Sequence, residues 1–140
     1  MQGPIPSLIR RAGLVIGLTL FAAVAVDAGH GSQAPSVALV RSEHIAQLLE
    51  RHQSLFVVDL RTSAEFAAGH IPGAVSLPQT ALADRLGEIP RTGRVLLYCH
   101  CPLEAIAGAY ELLFRSGYRN HAVLADGFAG WAARGYPIAR

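Results

Sequence analysis

The chain contains no lysine. Its twelve basic residues are all arginines, scattered against ten acidic ones for a formal net charge of +2. They form no basic cluster or stripe, which excludes the electrostatic footprint of a nucleic-acid binder. The missing lysine reflects coding composition rather than mechanism. Cysteine is nearly as scarce: the only two, Cys99 and Cys101, have one residue between them. They cannot staple distant parts of a fold, so no disulfide framework is built on them, and their use is local chemistry. A second cluster of metal ligands is also lacking, and adjacent residues such as Cys99-His100-Cys101 do not readily supply several ligands to one tetrahedral ion. Neither a metal nor a cofactor is expected. At 140 residues the length suits one domain.

Residues 1–11 end on Arg10-Arg11, and every residue from 12 to 26 is apolar, small or Thr. A basic lead, an apolar helix-forming stretch and then small residues is the pattern of a secretory signal. Val26-Asp27-Ala28 would serve as its cleavage site. The alternative is an uncleaved anchor, for which the run is slightly short of the roughly 20 residues that a bilayer core needs. In either case Arg10 and Arg11 keep the N-terminus in the cytoplasm and the rest is exported, to the periplasm or another extracytoplasmic space. No cysteine near this segment offers a lipidation site. Residues 1–28 are therefore expected to be a signal peptide or membrane anchor, 29–36 a linker, and 37–140 the folded domain. The oligomeric state is not legible.

In the domain, Ser42 is expected to cap a helix over 43–50 with Ile45, Leu48 and Leu49 on one face. Residues 55–60, apolar but for Asp59, form the kind of run that marks a strand buried on both faces of a parallel sheet. Thr62 or Ser63 is expected to cap a short helical turn, and Gly69-His70-Ile71-Pro72-Gly73 to form a turn before a second strand over 74–77. Leu82, Leu86 and Ile89 have helical spacing and predict a modest helix ahead of Pro90. Residues 94–98 predict a third strand and 104–115 a helix with Ile106, Tyr110 and Leu113 inward, ended by Gly117. Residues 122–124 predict a fourth strand, followed by a helical turn carrying Trp131. Strands alternating with helices place the chain in the α/β class with a mostly parallel sheet.

The sequence is organised around residues 95–110. A buried strand ends on Cys99, a tight loop follows, and a helix begins. Ligands bind outside the carboxyl ends of such strands. A sulfur held at a helix start is surrounded by N–H groups and a dipole that favour the thiolate.

Three motifs make the chain recognisable. Val58-Asp59-Leu60-Arg61, Glu65-Phe66 and Gly69-His70-Ile71-Pro72-Gly73-Ala74 together resemble the first signature of the rhodanese-like domain. Leu97-Tyr98-Cys99 before a short loop and helix resembles its active-site segment. Asp126-Gly127-Phe128 through Trp131, with Gly135-Tyr136-Pro137-Ile138, resembles its C-terminal signature. The resemblance spans 37–138. It implies five parallel strands flanked by helices, and a catalytic cysteine at Cys99 that passes a sulfane sulfur, as a persulfide, from a donor to a thiol or other nucleophilic acceptor. The loop departs from the family's usual one. Pro102 stands where a Gly is usual and Glu104 where an Arg is usual, so Cys99-His100-Cys101-Pro102-Leu103-Glu104-Ala105 resembles a less common CxCPxE-type variant. Glu104 would repel an anionic donor such as thiosulfate and oppose thiolate formation at Cys99. Pro102 removes one N–H from the anion-binding ring. Without the Arg, a cysteine phosphatase is excluded, because nothing closes the loop on a phosphate.

Each residue also has a plainer reading. Cys99 could be a small buried hydrophobe. Cys101 is either a loop residue or a resolving thiol that forms a small, easily reduced ring with Cys99. His100 is loop surface or a proton carrier. Glu104 complements the helix dipole or acts as an acid/base. Asp59 and Arg61 are expected to form a structural ion pair near the site, and His70 to stabilise a turn. Three functions follow: an exported sulfurtransferase, a thiol–disulfide redox protein using Cys99 and Cys101, or a non-catalytic binding module on the same scaffold.

Overall fold

The two most apolar runs of the domain become the centre of a sheet. A computed structural model of the chain describes residues 36–140. The expected signal peptide or anchor, with its hydrophobic helix, and all but the last residue of the expected linker lie outside them. Among the described residues no helix is long and apolar enough to cross a membrane.

The elements run β1 (Leu39–Val40), α1 (Ser42–Glu50), β2 (Phe56–Asp59), α2 (Ser63–Ala68), β3 (Val75–Ser76), β4 (Val95–Tyr98), α3 (Leu103–Arg115), β5 (His121–Leu124) and α4 (Gly127–Ala133). The sheet has five strands in the order β1-β5-β4-β2-β3, and every pairing is parallel. This is the α/β class expected, with helices flanking the strands. β1 supplies the fifth strand. At two residues it is too short to show alternation, and only the resemblance implied it.

Successive side chains of a strand point to opposite faces, and both faces here are covered. Val58, Leu97, Cys99 and Val123 pack with Ile106, Tyr110 and Leu113 of α3 on one side. Val57, Leu96, Tyr98 and Leu124 pack with Ile45 of α1 and Trp131 of α4 on the other. The neighbours Tyr98 and Cys99 therefore belong to different cores. In register, Asp59 lies beside Tyr98 across the β2–β4 pair, so both stand at the carboxyl end of the sheet. α3 buries Ile106, Ala109, Tyr110 and Leu113, which share one helical face. Its chain is turned away at Gly117, whose φ of +93° suits glycine.

Two local expectations are corrected. Ser42 does not cap α1: the N-cap is Arg41, without a side-chain bond. Ser42 is instead the first helical residue, fully buried, and its hydroxyl donates to Asp126 Oδ1 at 2.6 Å. A tertiary carboxylate outcompetes the local amide. The apolar spacing at 82–89 correctly marks Leu82 and Ile89 as buried, but the segment forms two 3-10 turns, Gln79–Ala81 and Leu86–Glu88, rather than a helix. It lies between Pro78 and Pro90 with Gly87 inside, too short to repay nucleation. The Tyr118 hydroxyl holds it by donating to the carbonyls of Leu86 and Ile89 at 2.7 and 3.0 Å. Thr62 does cap α2, in a reciprocal box with Glu65; those bonds hold the Glu65 carboxyl below its usual pKa.

Candidate active site

β4 ends at Tyr98, so Cys99 is the first residue past the strand, and α3 begins four residues later at Leu103. Between them the loop turns over a cavity of about 160 Å³ whose walls include Cys99, His100, Cys101, Leu103, Asp126 and Gly127. Cys99 is 5% exposed; the thiol side of the loop thus joins the core on one flank and the cavity on the other. Its Sγ is bonded to Cys101 Sγ, with the two Cα atoms 5.4 Å apart. Cys101 is half-buried, while His100, Leu103 and Glu104 are exposed.

The amides of His100, Cys101, Leu103 and Glu104 have no acceptor among the described residues. Pro102, the N-cap of α3, has no N–H to add. In this disulfide form the loop amides do not donate to Cys99 Sγ. They are free donors at the N-terminus of a 13-residue helix, where negative charge is favoured.

Of the loop residues anticipated for the site, Cys99, His100, Cys101 and Leu103 line the cavity, whereas Pro102, Glu104 and Ala105 do not. Glu104 sits exposed in the first turn of α3. The Ala105 carbonyl accepts from Gln79 Nε2 at 2.7 Å, pinning the loop's far end to the 3-10 turn. Among the described residues no arginine lines the cavity.

Asp59, Arg61 and His70 do not line the cavity. Asp59 is fully buried and Arg61 nearly so. The Arg61 guanidinium donates to both oxygens of Asp59, with Nε to Oδ1 at 3.0 Å and Nη2 to Oδ2 at 2.6 Å, and to the Gly69 carbonyl at 2.7 Å. It also lies 3.8 Å from the Phe128 ring centroid. The Tyr98 hydroxyl donates to Asp59 Oδ2 at 2.5 Å and accepts from the Ile71 amide. Burial, then the bond to Asp59, pushes the Tyr98 hydroxyl far above its ordinary pKa, so it remains a donor. The residue before Cys99 is thereby tied to β2 and to the turn ahead of β3. His70 stacks on Phe66 and bonds its carbonyl through Nδ1; its backbone bridges Ala139.

The far wall comes from residues not singled out as site residues from the sequence, although they lie inside the third motif. Asp126 faces the cavity, accepts from Ser42 and pairs with Arg134. Gly127 has φ +58°, and a Cβ there would stand 2.7 Å from the Cys99 carbonyl oxygen, which accepts from the Phe128 amide at 3.1 Å. A glycine just past a strand end signals such a close approach. Gly127→Ala is expected to lose about 1–3 kcal/mol of stability and to change the rate at which reduced Cys99 reacts with maleimide. Denaturation and labelling kinetics check this; a variant matching wild type in both would show that the turn absorbs the methyl freely.

The model of the rhodanese-like domain family matches residues 42–134. A protein of Allochromatium vinosum named Sulfurtransferase is 37% identical over 99 residues, covering 71% of this chain and 92% of that protein. The HTH-type transcriptional regulator Rv0324 of Mycobacterium tuberculosis is 34% identical over 117 residues; the match covers 82% of this chain but 50% of that regulator. Among solved structures, the Alr3790 protein of Anabaena sp. superposes with a TM-score of 0.66 at 25% identity, covering 71% of this chain and 81% of that one. With three motifs in order, the parallel sheet and a family match across two cores, the chain belongs to the rhodanese-like domain family.

Proposed function

We propose that this chain is a sulfurtransferase that carries a sulfane sulfur as a persulfide on Cys99 once the bond to Cys101 is reduced. The observation that carries the reading is the position of Cys99, at the carboxyl end of β4, walling a cavity at the N-terminus of α3. Four amides of the loop and the first turn of α3 have no acceptor among the described residues, and donors at a helix start favour a thiolate or a persulfide anion. Family membership and the sulfurtransferase relative support the same reaction class.

The donor is a thiol persulfide rather than thiosulfate. Among the described residues no arginine lines the cavity to neutralise a dianion, and a carboxylate, Asp126, is part of its wall. The acceptor is a thiol or comparable nucleophile. From the arginine pair and apolar run at the N-terminus, the reaction takes place outside the cytoplasm.

The disulfide favours a second reading, in which Cys99 and Cys101 exchange electrons with substrate thiols and no sulfur is carried. A Cys101→Ser chain separates the two, because its Cys99 cannot be capped internally. Offered glutathione persulfide, the full-length variant is expected to gain one sulfur atom on the Cys99 peptide by mass spectrometry, and to gain none from thiosulfate. If Cys99 takes no sulfur while maleimide still labels it, the sulfurtransferase reading is wrong and the redox reading stands.

A further inference from the structure

We infer that Cys101 is the resolving thiol of the persulfide, so that this chain reduces sulfane sulfur to sulfide and depends on a dithiol partner to reopen its site. This rests on the persulfide reading above and adds the fate of the sulfur. The juxtaposition that carries it is Cys101 Sγ bonded to Cys99 Sγ across the mouth of the loop, with Cα atoms 5.4 Å apart, within the spacing that disulfides span. Cys101 thus reaches the sulfur that would carry the persulfide without any movement of β4 or α3. No other role claims it: among the described residues no cluster of ligands suits a metal ion.

The Cys99 thiolate attacks the outer sulfur of a donor persulfide; the donor's S–S bond breaks and its thiolate leaves, giving Cys99–S–SH. The Cys101 thiolate then attacks Cys99 Sγ, the inner sulfur. The Sγ–S bond breaks with its electron pair going to the outer sulfur, which leaves as hydrosulfide. The sulfane sulfur has been reduced, and the two cysteines have been oxidised to the disulfide. A dithiol supplies the two electrons that restore the pair, becoming a disulfide itself.

Access decides which acceptor wins. Cys99 is 5% exposed, and an external nucleophile must enter the cavity to reach it, whereas Cys101 is held in place at an effective concentration that a free thiol does not match. Access also orients the reductive step. Cys101 is the more exposed half of the disulfide and sits beside Leu103, 46% exposed, an apolar step for a partner protein. Attack therefore falls on Cys101 Sγ and expels Cys99 as the thiolate, stabilised by the loop amides and ready for the next donor.

The test compares full-length wild type with Cys101→Ser and Cys101→Ala, each reduced, freed of reductant and mixed with one equivalent of glutathione persulfide. Wild type is expected to release close to one sulfide per chain and to finish two hydrogens lighter than its reduced form, with both cysteines in one disulfide. Both variants should keep the added sulfur and release at least about ten-fold less sulfide. Adding a dithiol such as reduced thioredoxin should let the wild type turn over repeatedly, and at least about ten-fold faster than either variant, whose persulfide the dithiol must reach directly. If wild type holds the extra sulfur as long as the variants do, Cys101 is not the resolving thiol, and the persulfide reading survives without it. If no chain takes up sulfur, both fall.

Discussion

Asp59→Ala is expected to remove about 3–5 kcal/mol of folding free energy, because it leaves a buried guanidinium without its counter-charge. Asp59 accepts from the Arg61 amide, from Arg61 Nε and Nη2 and from the Tyr98 hydroxyl. Burial keeps water from replacing it. Asp59→Asn should lose nearly as much, since it keeps the shape but not the charge. Urea denaturation followed by circular dichroism measures both. A loss under about 1 kcal/mol for the alanine variant would mean that Arg61 swings out to solvent, against its packing on Phe128. The effect should reach the site, because Tyr98 directly precedes Cys99 and loses the acceptor of its hydroxyl.

Trp131→Ala is expected to cost about as much, roughly 3–5 kcal/mol, through lost burial and the cavity left behind. The indole is 1% exposed, packs in the core that α4 shares with α1 and β4, and its Nε1 donates to the Pro137 carbonyl at 2.8 Å. Its ring lies 4.9 Å from that of Tyr136. Trp131→Phe retains most of the apolar volume and should cost distinctly less. Because Trp131 is the sole tryptophan, tryptophan emission disappears with it and circular dichroism follows the unfolding. An alanine variant within about 1 kcal/mol of wild type would show that α4 closes over the gap, and then Gly127, at the start of that helix, should move relative to Cys99.

The centre of the sheet and α3 were legible because burial on two faces leaves a plain mark. Runs such as Val95-Leu96-Leu97-Tyr98 have no polar position, and Ile106, Tyr110 and Leu113 keep a helical interval. The place of Cys99 at a strand end followed directly. What escaped was set by tertiary partners. Ser42 has the chemistry of a cap, yet Asp126, far along the chain, takes its hydroxyl. Residues 82–89 carry a helical interval but are held as turns by Tyr118. Asp126 and Gly127 stood inside a recognised motif, but that they face Cys99 depends on β5 lying beside β4, which no local pattern encodes. The joining of Cys99 to Cys101 was open in the sequence as one of two fates.

Tyr98 and Cys99 are chain neighbours that serve opposite sides of the sheet. The ion pair therefore holds the backbone from one side of the sheet while Cys99 turns to the other, and residues 100–102 span the gap between the end of β4 and the start of α3. An arginine in place of the exposed Glu104 would touch none of the bonds that hold Asp59 to Arg61 and Tyr98, so the charge beside the loop is set independently of the scaffold beneath it.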